Sequence, residues 1–300
     1  MDNEKWSSEA EKKIRFMANH IWNGISYSDI ERFLNNFPDD KKIGLALLDM
    51  LIYYSVEQES SIVENLLRLL ARDLWQKSPP DILKGPSSTI NAELDKTYQN
   101  MCLIPVKDNH DPSSSAFALT SSYKKAFNLP KSVEFIEPTD MPLMIAMKKK
   151  CMVFYDDIIG TGNQFREFWS ITKHFTGFNY TLQDISEKNP DVKIYYLVLG
   201  ACKESIIQLE RDFPNITIIA SEIFSTDYSV MSEENEYWEF NKDLMKPVQN
   251  YVSVKEAELN IHNRFSKYLS VLFQHTRAQN TALSLYWFEK ESTWNALYRR

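Results

Sequence analysis

Two adjacent acidic residues followed by a glycine-containing turn are the part of this sequence best suited to chemistry. Asp156 and Asp157 follow the apolar run Cys151–Tyr155, and Gly160 and Gly162 come soon afterwards. The chain has only 7 glycines in 300 residues, so two in one turn indicate a backbone conformation or close approach that other residues do not permit. Carboxylates accept hydrogen bonds from hydroxyls, whereas converging backbone amides bind anions. The pattern therefore predicts a site for a molecule that carries both a diol and a phosphate.

The elements around this stretch are expected to hold it at the edge of a parallel sheet. The run "CMVFY" predicts a central strand and "QFREFWSITKHF" predicts the helix that follows it. Residues 156–163 would then form the turn at the carboxyl end of the strand, where open α/β sheets bind ligands. The free amides and positive dipole end of the helix favour a phosphate there. Together with the acid pair, this arrangement predicts a ribose 5-phosphate site.

Other interpretations of the same turn are weaker. Aspartate and glycine are common turn residues, so the stretch could simply cap and shape a loop. A P-loop is excluded because no GxxxxGK[ST] sequence occurs. A dinucleotide-binding loop is disfavoured because GxGxxG is incomplete and the acid pair precedes the glycines.

The rest of the chain predicts an α/β protein with a helical N-terminal part. Residues 1–85 have the apolar spacing of roughly four helices and are expected to form a helical subdomain. The segment 78–90, with three prolines, is a candidate junction. In residues 86–300, short apolar runs alternate with helical patterns, which predicts a parallel sheet flanked by helices. The late runs "YLSVLF" and "ALSLYW" predict a C-terminal strand pair.

Composition excludes several classes of function. The net charge of -7 argues against broad binding to nucleic acid, which requires a basic surface. No stretch approaches the roughly 20 consecutive apolar residues of a membrane span. The N-terminus is charged and unlike a signal peptide, and the 3 cysteines have no disulfide or zinc spacing. A cytoplasmic protein without a membrane partner is expected.

The acid pair and its turn carry a resemblance to a known family. "MVFYDDIIGTGNQF" resembles the phosphoribosyl-pyrophosphate signature of type I phosphoribosyltransferases. The resemblance implies a phosphoribosyltransferase-like sheet in which Asp156 and Asp157 are catalytic residues that hold the ribose hydroxyls. It implies that the 5-phosphate is bound by the loop residues Gly160, Thr161, Gly162, Asn163 and Gln164. It further implies a Mg²⁺ ion that bridges substrate oxygens, with no metal ligands supplied directly by the protein.

Further contacts are expected in two loops. Gln164 stands where such signatures usually have threonine, and its amide can also donate to a phosphate. The pyrophosphate loop is expected at the glycine-free segment that contains Ser113, Ser114 and Ser115, although serines before a helix also serve as N-caps. Cap contacts to the site are expected from a late loop, in which the candidates are His275, Arg277 and Asn280. That loop could equally be a solvated hairpin turn.

A wider resemblance covers most of the chain. "FLNNF", "LLDMLIYYS", "FYDDIIGTGNQF" and "FQHTRAQNTALSLYW" are similar to phosphoribosyltransferase-like proteins of bacterial conflict systems, including anti-phage effectors encoded beside retrons. The resemblance implies an enzyme that binds a nucleotide or phosphoribosyl compound and transfers or cleaves at the anomeric carbon. The alternative is a catalytically degenerate binding or scaffold module. Reverse transcriptase, msDNA or another defence-complex protein are the macromolecular partners that it implies.

Overall fold

The computed structural model describes most of the chain. The described residues are 3–77, 85–106, 115–125, 134–135, 142, 148–175, 177–262, 267–274, 279–290 and 293–298. Within these ranges, no helix has both the length and the apolar character needed to cross a bilayer.

Helices and strands alternate through the middle of the chain. The helices are α1 (Asn3–His20), α2 (Tyr27–Leu34), α3 (Lys41–Met50), α4 (Val56–Lys77), α5 (Ser87–Gln99), α6 (Ser115–Lys125), α7 (Asn163–Ser170), α8 (Leu182–Lys188), α9 (Lys203–Asp212), α10 (Tyr237–Phe240) and α11 (Lys242–Glu258). The strands are β1 (Ile52–Tyr54), β2 (Met101–Pro105), β3 (Glu134–Phe135), β4 (Cys151–Ile159), β5 (Lys173–Phe175), β6 (Phe178–Tyr180), β7 (Lys193–Cys202), β8 (Ile216–Phe224) and β9 (Val271–Phe273).

The main sheet has the strand order β3-β2-β4-β7-β8. Strand β4 pairs in parallel with β2 on one side and with β7 on the other, and β2 pairs in parallel with β3. Every residue of β2 is buried, as is nearly every residue of β4 and β7, as expected for strands covered by helices on both faces. The expected α/β class, with a parallel sheet flanked by helices and an N-terminal helical region, is confirmed.

Each face of β4 packs against a different helix. On one face, Phe154 contacts the aromatic residues Phe165, Phe168 and Trp169 of α7 at ring-centroid distances of 5.8 to 5.9 Å. On the other face, Tyr155 lies against α6, where its hydroxyl bonds to the Thr120 hydroxyl over 2.7 Å. This alternation follows from the two-residue period of a strand.

The chain separates into two compact units. One unit comprises Met1–Gln58 with Phe224–Arg300, and the other comprises Glu59–Ile223. The first unit includes the parallel pair β1-β9 and an apolar core to which both ends of the chain contribute. The second unit contains the main sheet. These bounds differ from the expected division into residues 1–85 and 86–300, which stays a prediction.

Three segments differ from their expected secondary structure. The helix predicted over "QFREFWSITKHF" ends at Ser170, and Lys173–Phe175 instead forms a hairpin with Phe178–Tyr180. Ile52–Tyr54 leaves the predicted third helix and becomes strand β1, because it can pair with the C-terminal strand. The second predicted C-terminal strand is wrong, since Ser284–Tyr286 forms a short 3-10 helix.

Of the predicted junction 78–90, residues 78–84 lie outside the described ranges, and α5 begins at Ser87.

Candidate functional site

The acid pair lies inside strand β4 rather than in the turn that follows it. The strand continues to Ile159, and Asp156 is in register with Val198 of β7. The turn is therefore shorter than the expected 156–163, and consists of residues 160–162 before α7 begins at Asn163. The reason is that β4 still pairs with β7 beyond the acid pair, where Ile158 is in register with Gly200 and Ile159 with Ala201. Both aspartates thus lie close to the carboxyl end of the central strand.

Asp156 is almost completely enclosed, with 1% of its surface exposed. Its Oδ1 accepts a hydrogen bond from the backbone N–H of Asp157 over 2.9 Å. Its Oδ2 accepts from the side-chain amide Nε2 of Gln164 over 3.1 Å and from the Tyr196 hydroxyl over 3.4 Å. The carboxylate therefore connects β4, β7 and the first turn of α7.

Tyr196 remains a hydrogen-bond donor to this carboxylate at any physiological pH. Burial raises the pKa of the phenol well above its ordinary value, and the negative charges of Asp156 and Asp157 raise it further. The ring stacks on Phe165 of α7 with centroids 4.3 Å apart, which fixes its orientation. A protonated, immobilised phenol is consistent with a permanent structural contact to Asp156.

Asp157 follows Asp156 in the strand and is also buried, with 6% of the residue exposed. Its Oδ1 accepts from the backbone N–H of Ile158 over 2.8 Å. Each of the two adjacent carboxylates therefore accepts a hydrogen bond from the backbone N–H of the residue that follows it.

The turn depends on glycine at position 162. Gly162 has φ 77° and ψ 0°, the left-handed conformation, and it is the N-cap residue of α7. A Cβ at this position would lie 3.0 Å from Cγ of Leu209 in α9 and 3.2 Å from Nη1 of Arg166. Both the conformation and the space favour glycine here.

Two consecutive carbonyls of the turn are held by side chains. The Ser205 hydroxyl donates to the Gly160 carbonyl, and Arg166 Nη1 donates to the Thr161 carbonyl over 3.0 Å. In a trans peptide the C=O and the next N–H point in opposite directions. The amides of Thr161 and Gly162 are therefore directed away from Ser205 and Arg166, as an anion-binding turn requires.

Arg166 is itself held in place by two acceptors. Its Nε donates to Asp212 Oδ2 over 2.8 Å, and its Nη1 also reaches Asn163 Oδ1 over 3.2 Å. The Thr161 hydroxyl accepts from the Asn163 N–H over 3.3 Å, so its proton is available to another acceptor. The loop residues predicted from the sequence are thus brought together around one turn.

Sequence reasoning missed the residues that support the turn. Arg166 follows the start of α7 by one helical turn, and this spacing was a usable signal. Ser205 and Tyr196 belong to other βα units, so no local pattern connects them with Gly160 or Asp156.

The structure does not test the contacts that were predicted from the other loops. Ser113, Ser114, His275 and Arg277 lie outside the described residues. Ser115 is the first residue of α6, and its side chain is not described. Asn280 is exposed and belongs to the unit that contains both chain ends, whereas the turn belongs to the other unit. Their roles stay predictions.

Comparison with known proteins identifies the family. No curated protein and no solved structure matches the sequence. The family model PRTase-CE matches residues 30–300, which is most of the chain. Strand β4, its acid pair and the turn before α7 all lie within the matched region. The chain therefore belongs to the PRTase-CE family and is a phosphoribosyltransferase-like protein.

Proposed function

We propose that the chain binds the ribose 5-phosphate part of phosphoribosyl pyrophosphate or a nucleotide at the carboxyl end of β4. The observation that carries this proposal is the fixation of two successive loop carbonyls, of Gly160 by Ser205 and of Thr161 by Arg166. Because a trans peptide directs its N–H away from its C=O, the two N–H groups that follow these carbonyls should point away from Ser205 and Arg166, beside the N-terminus of α7. Preorganised amides bind an anion without the cost of ordering a loop.

The acid pair supports a sugar next to the phosphate. Carboxylates repel a phosphate but accept hydrogen bonds from hydroxyls, and Asp157 lies only a few residues before the turn. Magnesium characteristically binds through one or two carboxylates together with substrate phosphates. In this proposal Mg²⁺ would be held mainly by the substrate, and it would supply charge neutralisation for a leaving pyrophosphate.

The reaction that we propose takes place at the anomeric carbon of the bound ribose. Departure of the group on that carbon develops positive charge on the sugar ring, as in glycoside cleavage. The described residues would contribute mainly by positioning, since the turn anchors the phosphate and the acid pair orients the diol. Transfer of the phosphoribosyl group to an acceptor and hydrolytic cleavage of a nucleotide are both compatible with this geometry.

A second candidate is a module that binds the same ligand without turnover. The observation that favours it is the engagement of Asp156 by Gln164 and Tyr196, which leaves this carboxylate enclosed. The two candidates differ in one measurement. Incubation with Mg²⁺ and phosphoribosyl pyrophosphate or nucleotides, followed by chromatography, yields free base or pyrophosphate only if the chain is an enzyme.

A role in bacterial anti-phage defence is proposed from the resemblance to conflict-system proteins. In a retron-like system the partners would be reverse transcriptase, msDNA or another defence protein. Purification after expression with the genes encoded beside it should yield a complex that contains one of them. Recovery of the chain alone from such a preparation would argue against this role.

A thermal-shift experiment tests the binding proposal directly. With Mg²⁺ and ribose 5-phosphate at about 100 times its Kd, the chain should be stabilised by about 2.7 kcal/mol, or a few degrees in Tm. Asp157→Asn should remove most of the shift, because it replaces a charged acceptor by a near-isosteric amide. The same substitution at the exposed Asp191 is the matched control and should retain the shift. No shift with ribose 5-phosphate, phosphoribosyl pyrophosphate or any nucleotide would refute the proposal.

A further inference from the structure

We propose that helix α9 positions the turn 160–162, and that Asp212 at the end of this helix controls ligand affinity through Arg166, as a positioning residue. This inference rests on the proposed function, because the turn that α9 holds is the one that would bind the phosphate. Helix α9 belongs to the next βα unit, and Asp212 lies 50 positions after Gly162 in the chain. The ion pair between Asp212 and Arg166 therefore makes the turn depend on a residue well outside the acid-pair motif.

Helix α9 lies directly against both glycines of the turn. The hydroxyl of Ser205 donates to the Gly160 carbonyl. The Leu209 side chain lies beside Gly162, where a Cβ atom would be 3.0 Å from the Leu209 Cγ. Residues four positions apart lie on the same face of a helix. A single face of α9 therefore sets the positions of the first and the last residue of the turn.

The middle residue of the turn is connected to the same face of α9 through Arg166. This side chain donates from Nη1 to the Thr161 carbonyl over 3.0 Å and from Nε to Asp212 Oδ2 over 2.8 Å. Asp212 follows Leu209 by three positions, so both lie on one face of the helix. A guanidinium is planar and its N–H groups have fixed directions. The position of Asp212 therefore fixes the direction from which Arg166 reaches the turn.

The location of Asp212 is unfavourable for a carboxylate that has no role in holding Arg166. Asp212 is the last residue of α9, where the helix dipole favours a cation. A carboxylate near an anion-binding turn would also repel the phosphate. The two side chains are 42% and 27% exposed, so the ion pair should contribute little to the stability of the fold. Its effect is therefore expected on the geometry of the turn.

Charge and position predict opposite effects of Asp212→Asn, so this variant separates them. If Asp212 acted by its charge alone, removing a negative charge near the turn would strengthen the binding of a phosphate. If it acts by position, the neutral amide holds Arg166 less firmly, and the Thr161 carbonyl loses its fixed donor. We expect ribose 5-phosphate to bind about fivefold more weakly, as after the loss of roughly one hydrogen bond.

Calorimetry with Mg²⁺ and ribose 5-phosphate tests this expectation. Asp212→Asn should weaken binding about fivefold while the midpoint of urea unfolding hardly changes, because the ion pair is partly exposed. Glu210→Gln is the matched control, since Glu210 is an exposed acid about 100° round the same helix from Leu209. It should leave the affinity unchanged or raise it slightly. Unchanged or tighter binding in Asp212→Asn would overturn the inference.

A double variant shows whether Asp212 acts through Arg166. Arg166→Met removes the donors to both the turn and Asp212, and it should weaken ribose 5-phosphate more than Asp212→Asn does. Once Arg166 is absent, Asp212→Asn changes only the charge, so it should cause no further loss. Additive losses in the double variant would overturn the positioning role.

Failure of the inference and failure of the proposed function give different results. If the unmodified chain binds neither ribose 5-phosphate, phosphoribosyl pyrophosphate nor any nucleotide, the proposed function is wrong and the inference falls with it. If the unmodified chain binds ribose 5-phosphate and Asp212→Asn binds it equally well, the proposed function stands and only the inference is wrong.

Discussion

At the scale of single residues, the turn depends on the absence of a side chain at position 162. Gly162 combines a left-handed backbone with close contacts to Leu209 and Arg166. Gly177, in the β5-β6 hairpin, has a similar φ of 86°, but among the described residues other than its chain neighbours no atom lies within 4 Å of the position that a Cβ would occupy there. The two glycines therefore separate the effect of conformation from that of space.

We predict that Gly162→Ala destabilises the chain more than Gly177→Ala. Both substitutions place a Cβ in the left-handed region, at a cost of roughly 1 to 2 kcal/mol. Gly162→Ala adds the contact with Leu209, which must move by a few tenths of an ångström, so a total nearer 3 kcal/mol is expected. Urea unfolding of both variants measures the difference. Adding Leu209→Ala should reduce the gap, and an equal cost at both sites would show that crowding is irrelevant.

The cysteines provide a second prediction at this scale. Cys102, Cys151 and Cys202 are all buried, and burial raises the pKa of the Cys151 thiol to about 12. Because the thiolate is the reactive form, the folded chain should not react with a thiol reagent such as DTNB at pH 8. All 3 cysteines should react after unfolding in guanidinium. Rapid reaction of a thiol in the folded chain would contradict the burial of these strands.

At the scale of elements, helix α8 has an N-terminal cap that can be tested by mutation and pH. The Thr181 hydroxyl accepts from the Asp184 N–H over 3.0 Å, and the Asp184 carboxylate accepts from the Thr181 N–H over 2.7 Å. Thr181→Ala should cost about 1 kcal/mol in the free energy of unfolding, whereas Thr181→Ser should cost little.

The cost of Thr181→Ala should decrease in acid. Hydrogen bonds from the backbone and hydroxyl of Thr181 lower the pKa of Asp184 in the folded chain. A lowered folded pKa gives stability that is present above the ordinary value and is lost as the pH falls through the folded pKa. Unfolding by urea at pH 7 and near pH 3 should therefore show a smaller difference between Thr181→Ala and the unmodified chain at the lower pH. A constant difference would exclude the contribution of Asp184.

The sequence predicted the elements that depend on residues close together in sequence. It missed those that depend on partners far away in sequence. The apolar runs of β2, β4 and β7 and the helices between them follow from local periodicity, and they are confirmed. Strand β1 depends on pairing between Ile52–Tyr54 and Val271–Phe273, which no local pattern contains. The end of α7 was missed for a similar reason, because Lys173–Phe175 is stabilised by its hairpin partner. At the site, the motif predicted the turn, whereas Ser205 and Tyr196 come from distant strands and helices.

At the scale of the whole molecule, both chain ends contribute to one compact unit. Residues Met1–Gln58 and Phe224–Arg300 share an apolar core. Its contacts join residues more than 200 positions apart, such as the Arg32 guanidinium and the Ala296 carbonyl over 3.1 Å. The helical spacing of apolar residues ends at the proline-rich segment 78–90, and the sequence therefore predicted a domain boundary there. No local pattern could predict that the C-terminal residues pack against the first helices. The C-terminal segment is therefore expected to be essential for the order of the N-terminal helices.

Trp294 is the residue through which this dependence can be measured. It is buried, its ring lies 6.0 Å from Phe33 and 5.6 Å from Phe37, and its Nε1 donates to the Leu285 carbonyl over 3.0 Å. Trp294→Ala should lower the free energy of unfolding by about 3 to 5 kcal/mol, because it leaves a large cavity and an unsatisfied carbonyl. Hydrogen exchange should become faster in α2, although α2 is far away in sequence.

Phe240→Ala, at a side chain that is 81% exposed in the same unit, is the control and should change stability by less than about 0.5 kcal/mol. Unchanged exchange in α2 of Trp294→Ala would mean that the N-terminal helices are stable without the C-terminal segment.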